Sequence, residues 1–480
     1  MKKGFTKKTT ITGIIVGVLF ILSIQISGQG GGYPSVIDSL PSPTSNRPVY
    51  IPASPQRTGD SALGYKYVVE GDHLRSGIPY ELFLMGYGKD KSHDLKRDSI
   101  NRGIPYNFTA VKAPNGITVV VPNCLQCHAQ VFGDSLIIGL GSTDMDFTTS
   151  NRSNAQALKA ILKTFSGRSS AKYEAAADFI HITSVVSPGL RTEVKGVNAA
   201  DRLAALLAAH RDPVTLRWRD TPVLAIPDQV VPTDVPAWWL LKKKHAMFFN
   251  GFGRGDFGKF LMASNLLTTR DSAEANVVDR QIPNVLAWLL TIQPPRYPYH
   301  IDTPLAVWGQ RLFETSCAHC HGTYGKDGKY PNLLIPESIV KTDSLLYKAN
   351  FQYPQFIDWF NQSWFSSGPY PAKLDPFNGY IAPPLDGIWV TAPYFHNGSV
   401  PTLEAVLNSH IRPKYWSRFF GSGTVYDFDK VGWKYTAFTE PGGSKVYNTT
   451  LPGYGNYGHT FGDKLSETER KAVIEYLKML

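Results

Sequence analysis

The sequence predicts a mainly α-helical, loop-rich chain of two domains in tandem, the first divergent and carrying insertions. Three observations carry that expectation. Glycine and proline number 42 and 34 in 480 residues, which favours short helices joined by many turns. One five-residue pattern, Cys-x-x-Cys-His, occurs once in each half, at residues 124–128 and 317–321. Around the second copy, apolar residues recur at helical spacing.

A length of 480 residues is enough for two or three domains with sizeable cores. The hydrophobic fraction of 42% and charged fraction of 18% are ordinary for a globular protein. Lys plus Arg exceeds Asp plus Glu by 49 to 39, a formal charge of +10. The basic residues are scattered, which favours solubility and counter-charge over a partner-binding face. The lysine run 242–244 is the main exception. Nothing points to nucleic acid as a partner.

The chain opens with Lys2, Lys3, Lys7 and Lys8, followed by an apolar stretch at 11–26. This is the pattern of a signal peptide or a short membrane anchor over residues 1–28. No A-x-A cleavage site follows it; Ser27-Gly28-Gln29-Gly30 comes next, which favours a retained anchor. Either way the body is expected outside the cytoplasm, periplasmic or otherwise extracytoplasmic, and touching a membrane through this segment alone. Residues 29–61 are rich in Gly, Pro and Ser and predict a tether with little structure of its own.

The four cysteines all belong to the two motifs: Cys124, Cys127 with His128, and Cys317, Cys320 with His321. C-x-x-C-H is the attachment pattern for c-type haem. Two thiols add across the haem vinyl groups, and the adjacent histidine is thereby placed under the iron as its proximal ligand. Three other readings compete. A redox disulfide within each pair usually sits in a βαβ unit, which the pattern lacks. A four-cysteine zinc site would need free thiolates in an oxidising compartment. Coincidence is hard to maintain for two copies with no cysteine left over. The expectation is therefore two covalently bound haem c groups, with His128 and His321 on iron, in two cytochrome c-type domains: a divergent one over 62–295 and a second over 296–480.

The second motif has a regular helical setting. Gly309 permits close approach of another helix, and Phe313 is placed to pack on the haem. The partner helix is the C-terminal one, opened by a capping box at Ser466-Glu467-Thr468-Glu469 and carrying Val473, Ile474, Leu477 and Leu480. The first motif follows a strand-like run at 117–121, and helical patterns return at 154–165 and 198–210. As for a sixth ligand, no methionine lies between His321 and Lys478, so His396, His410 and His459 are the second haem's candidates. For the first haem the sequence offers His73, His93, His181, His210, His245, Met85, Met145, Met247 and Met262.

Thr391-Ala392-Pro393-Tyr394-Phe395-His396-Asn397-Gly398-Ser399-Val400-Pro401-Thr402-Leu403 resembles the signature of bacterial di-haem cytochrome c peroxidases and their relatives. Arg412-Pro413, Gly421-Ser422, Val431-Gly432 and Gly455-Asn456-Tyr457-Gly458-His459-Thr460-Phe461-Gly462 are similar to the rubber oxygenase-like branch of that superfamily. So are Trp238-Trp239-Leu240-Leu241-Lys242-Lys243-Lys244 and Gly139-Leu140-Gly141-Ser142. The resemblance covers most of the chain beyond residue 60.

The resemblance implies that His459 is the distal ligand of the second haem. It implies that the first haem is the reactive one, and that Trp238 or Trp239 lies near the haems. Trp239 is the expected catalytic electron bridge, set against simple core packing of the pair. Phe248, Phe249 and Phe257 are then expected in the first haem's distal pocket. Thr391-Ala392-Pro393 matches a segment whose carbonyls hold Ca2+ in the peroxidases, whereas His396 is not expected on iron. Three functions follow. One is a di-haem oxidoreductase that activates oxygen or peroxide, with an apolar organic substrate. Another is a peroxidase reducing hydrogen peroxide with electrons entering at the second haem from a redox partner. The third is an electron-transfer cytochrome with both haems six-coordinate.

Overall fold

The computed structural model describes residues 46–480 apart from 91, 93, 94, 98, 168, 169 and 421–424. The expected signal or anchor segment lies outside the described residues, as does His93. Among the described residues, no helix is long and apolar enough to cross a membrane. Helix accounts for 38% of the structure and strand for 13%, the strands lying in six small sheets of two or three.

Two crossed helix pairs organise the molecule, and each crossing depends on a glycine. Helix Ser61–Glu70 packs on helix Ile282–Leu289. A Cβ at Gly64 would stand 1.9 Å from the carbonyl oxygen of Asn284, so only glycine lets these backbones touch. Asp60 caps the first helix by accepting from Leu63 N at 2.9 Å. Their seam buries Val68, Val69, Val285, Leu286 and Leu289, and joins Leu125 of the first motif and Trp238 in one cluster.

The second pair repeats the device. Helix Thr303–Ser316 packs on helix Glu467–Leu477, and a Cβ at Gly309 would stand 1.8 Å from the Ala472 carbonyl. The capping box forms as the sequence suggests, with Ser466 and Glu469 bonded reciprocally. Phe313 is fully buried against Tyr476, ring centres 5.3 Å apart, and Tyr324 at 6.1 Å.

The run before the first motif is strand Thr118–Pro122, central in a sheet with Ile78–Pro79 and Phe108–Lys112. Its Val119, Val120 and Val121 are buried, on both faces of the sheet. Helices Arg152–Phe165 and Ala200–Ala209 occupy the places expected at 154–165 and 198–210.

Two expectations about organisation are corrected. The described part of the supposed tether is not free chain. Val49–Tyr50 pairs antiparallel with Leu333–Pro336, Ile51 is buried, and Arg57 pairs with Asp256 at 2.6 Å and Asp279 at 2.9 Å. Pro and Gly are compatible with edge pairing, so composition alone misreads this segment. The boundary expected between 295 and 296 separates helices but not cores. Strand Gly253–Gly255 pairs with Ala372–Leu374, and one cluster unites Leu140, Ala237 and Trp239 with Phe313, Trp389, Val473 and Ile474.

The lysine run 242–244 is not a basic face either. Lys242 bonds Gln293, and Lys243 pairs with Asp386 at 2.8 Å and lies over the Tyr324 ring. Lys244 is buried, its ammonium donating to the Phe248 carbonyl at 3.3 Å.

Candidate haem-binding centres

Both Cys-x-x-Cys-His segments fold into the same single turn. In each, the histidine amide donates to the carbonyl of the first cysteine at 3.1 Å. The helical turns are Leu125–His128 and Ala318–His321. One turn brings residues i and i+3 to the same side, so the two sulfurs of each motif share a face with the histidine alongside. Asn123 starts the first turn by accepting from Leu125 N at 2.9 Å. Gly322, at φ +81°, ends the second, where a Cβ would collide with the Lys329 carbonyl at 2.4 Å.

All four cysteines are unpaired, so neither motif is a disulfide. Among the described residues, no three His, Cys, Asp or Glu side chains gather as a metal cluster, which removes the four-cysteine zinc reading. Burial pushes the Cys124 thiol up to about 12 and Cys317 to about 11, with the neighbouring cysteine adding to each.

The second centre is the more fully built. His321 shares Nδ1 with the Pro383 carbonyl at 2.9 Å, which fixes the ring and leaves Nε2 free. Opposite it stands His459, with ring centres 6.1 Å apart. Two metal–nitrogen bonds of about 2 Å, plus roughly 1 Å from each nitrogen to its ring centre, put trans imidazoles about 6 Å apart. The pair therefore fits an iron held between them. Burial, then His321 and Arg412, hold the His459 imidazole down to about 3; burial also lowers His321. Both rings are thus neutral, the form that ligates metal.

His459 is carried by a loop in the left-handed region, at φ 43°. The segment around residues 380–412 grips that loop. Asn397 Nδ2 donates to the carbonyls of Gly453 and Gly455, and Ser399 Oγ to that of Gly455. Arg412 bonds the carbonyls of Asn456, Gly458 and His459. His396 belongs to this grip. Its Nε2 bonds Tyr380 OH at 3.0 Å, the rings stack at 4.2 Å, and Tyr380 OH donates onward to the Asp343 carbonyl at 2.6 Å. His410 is exposed.

The first centre is built differently. His128 stacks on Trp238, ring centres 4.4 Å apart and 17° from parallel. Burial alone holds its imidazole down to about 3, and its Nδ1 is buried without a hydrogen-bond partner. Among the described residues, no second imidazole lies against it as His459 lies against His321.

The structure also separates the other candidate ligands. His181 is half exposed beside Asp220, His210 stacks on Trp218, and His245 bonds the Ile51 carbonyl. Met85 is exposed and Met262 is buried in another cluster. His73 lies 4.0 Å from Cys124 Sγ, but its Nε2 is taken by the Tyr67 carbonyl. Met145 is tied to the motif through Asn198, whose Nδ2 lies 3.3 Å from Met145 Sδ and 3.7 Å from Cys127 Sγ. Met247 packs against the cluster holding Leu125 and Trp238.

The two tryptophans of the pair have different partners. Trp238 faces His128, while the fully buried Trp239 donates Nε1 to the Asp386 carbonyl at 2.8 Å. Asp386 is three residues from Pro383, the acceptor of His321. The phenylalanines expected in one pocket are divided. Phe248 packs with Phe252 and Phe260, Phe249 with the Tyr347–Tyr380 cluster, and Phe257 alone joins the first motif's cluster. In the expected calcium segment, the Ala392 carbonyl accepts from Trp433 Nε1 at 2.8 Å.

Residues 379–417 match the family described as RoxA-like, cytochrome c-like. That stretch contains Tyr380, Pro383, His396, Asn397, Ser399 and Arg412, the residues that hold the second centre together. The chain is also similar to two uncharacterized proteins of Sinorhizobium fredii (strain NBRC 101917 / NGR234). It is 28% identical to y4iM over 230 residues, 43% of this chain and 51% of that protein. It is 43% identical to y4iJ over 111 residues, 21% of this chain and 18% of that protein. The chain thus spans about half the length of one relative and under a fifth of the other. By its 379–417 segment the chain is similar to the RoxA-like, cytochrome c-like family, a likeness that implies haem c binding.

Proposed function

We propose that the chain is an exported di-haem c-type oxidoreductase. In this reading Cys124, Cys127 and His128 hold one haem, and Cys317, Cys320 and His321 hold the other, with His459 as the second haem's sixth ligand. The second centre carries the reading: His321 faces an imidazole at bis-histidine spacing, and among the described residues none lies so against His128. A closed iron suits electron storage, and an open one suits oxygen or peroxide. When bound, the haems would supply one-electron redox chemistry.

The chain's own residues do the rest. Pro383 and Arg412 orient the second centre's ligands. Trp238 and Trp239 bridge the two centres, the first on His128 and the second at the loop that holds His321. The dry cluster of Leu125, Trp238, Leu241 and Phe257 excludes water from the first motif. An apolar organic substrate and a redox partner complete the proposal, with hydrogen peroxide reduction as a second chemistry for the same open iron. Export rests on the segment 1–28, and calcium on the backbone carbonyls of Thr391-Ala392-Pro393.

The test has two parts. Denatured protein should keep two haems per chain through thioether bonds, and Cys124→Ala with Cys127→Ala should leave one. Cyanide added to the oxidised protein, or oxygen to the reduced protein, should shift the spectrum of one haem only. If neither haem responds, both irons are closed, the chain is an electron carrier, and Met145 becomes the first ligand to test at His128. A single haem per chain would remove the di-haem reading.

A further inference from the structure

Arg412 uses its whole hydrogen-bonding capacity on one task. Its Nε donates to the Ala405 carbonyl at 2.9 Å. One terminal nitrogen donates to Asn456 and Gly458 at 2.8 and 2.7 Å, the other to Val406 and His459 at 3.1 Å each. A guanidinium has five N–H donors in a rigid fork, and here all five meet backbone carbonyls. Two of those carbonyls lie in helix Leu403–Leu407 and three in the loop that ends at His459. The guanidinium also lies over the Phe395 ring at 5.0 Å, and that ring meets His459 with centres 5.9 Å apart. Among the described residues no carboxylate is bonded to it; Asp463 acts on it through space alone.

The loop needs such a brace. His459 sits at φ 43°, a conformation that L-residues with side chains rarely adopt, and its amide donates to the Val340 carbonyl at 2.8 Å. Gly458 beside it, at φ +75°, has the Lys341 carbonyl 2.2 Å from where a Cβ would stand. The ring therefore turns towards His321 only while the backbone on both sides stays put.

We propose that Arg412 is the positioning residue for the second haem's sixth ligand: it ties the 456–459 loop to the end of helix Leu403–Leu407 and so keeps His459 at ligation distance from His321. This rests on the bis-histidine reading above and adds to it the element that enforces it. Lysine cannot substitute. A single ammonium has three donors and no fork, so at least two of the five carbonyls lose their partner.

The experiment uses the full-length holoprotein and the variants Arg412→Lys, Arg412→Gln and His459→Ala. Electron paramagnetic resonance and optical spectra report spin state, carbon monoxide binding to the reduced protein reports an opened iron, and far-UV circular dichroism reports folding. The expected result is loss of the second haem's low-spin signal in both Arg412 variants, to the same end point as His459→Ala. Carbon monoxide should bind there, and added imidazole should restore the low-spin signal, with the first haem's spectrum and the haem content unchanged. A merely structural role would not give rescue by a free ligand. If His459→Ala becomes high-spin while both Arg412 variants keep the wild-type signal and refuse carbon monoxide, the Arg412 inference falls and the bis-histidine reading stands. Loss that imidazole does not restore, with a collapsed circular dichroism spectrum, also overturns it. If His459→Ala itself stays low-spin, the sixth-ligand assignment is wrong and the inference goes with it.

Discussion

Gly309→Ala is the sharpest probe of how the second centre is supported. The added Cβ would stand 1.8 Å from the Ala472 oxygen, 2.3 Å from its carbonyl carbon and 2.9 Å from Val473 N. Carbon contacts are comfortable at about 3.5 Å, so the helices must part by roughly 1.5 Å. A gap of even 0.5–1 Å forfeits about a quarter to a half of each dispersion contact. The seam that opens is the one burying Ala306, Phe313, Val473, Ile474 and Leu477. Overpacking costs about 1–3 kcal/mol where side chains can yield, and here the obstructing atoms are helix backbone, which places the cost at or above the upper end. Alanine recovers about 1 kcal/mol of helix propensity, leaving a net loss of about 2–3 kcal/mol. Urea unfolding of the holoprotein, followed through tryptophan fluorescence, should show a lower midpoint with an unchanged slope. Gly443→Ala, where nothing lies within 4 Å of the added methyl, is the control and should be neutral. A Gly309→Ala protein within about 0.5 kcal/mol of wild type would refute the idea that this crossing is tight.

Trp239→Phe deletes the bond to the Asp386 carbonyl at 2.8 Å in a fully buried place and should cost about 1–2 kcal/mol. If Trp239 bridges the centres, stopped-flow reduction should also show slower equilibration between the haems, and an unchanged rate would remove it from the path. Ser466→Ala breaks the capping box of the C-terminal helix and should lower stability by about 1 kcal/mol, read from the same urea midpoint. Asp212 is held down to about 2, mainly by the Thr215 amide and then by Arg219. Its folded-state value lies below the ordinary carboxylate value of 3.8, so its contribution is complete above that pH and is lost as pH falls towards 2. Partial solvent screening limits it to about 1 kcal/mol. Asp212→Ala should therefore destabilise at pH 7 and make little difference at pH 2; an equal effect at both would exclude the charge as the cause.

What the sequence reveals of this protein follows the range of the interactions involved. The two motifs, the glycine at the Thr303–Ser316 crossing, the Ser466 cap and the valine strand are local patterns, and each is legible from spacing. Trp238 and Trp239 are legible as a pair, but their division of labour is not, because it depends on His128 and Asp386 lying 110 and 147 positions away respectively. Pro383 as the acceptor of His321 is 62 positions from it, and Arg412 reaches carbonyls up to 47 positions on. Backbone carbonyls carry no residue-type signal, so a side chain whose partners are carbonyls is invisible to motif reasoning. The signal that was available for Arg412 was its place in a family-like Arg-Pro pair. The lysine run misleads for the same reason. Its charge looks exposed until Asp386 and the buried setting of Lys244 are seen. The phenylalanines fail because neighbours in sequence at 248 and 249 point into different clusters.

The strands that cross between the halves bear on how the molecule is made. Val49–Tyr50 finds its partner in Leu333–Pro336, and Gly253–Gly255 finds its own in Ala372–Leu374. Closure of such long loops is slow and cannot begin until the later segment has emerged from synthesis. The first Cys-x-x-Cys-His thus stays part of an incomplete structure for the whole time that the second half is arriving, a period in which its thiols remain reachable. The same arrangement makes the halves inseparable. A fragment cut at residue 296 would bare Leu334, Ile335, Ala372 and Leu374 along unpaired strand edges and should aggregate rather than yield a one-haem cytochrome.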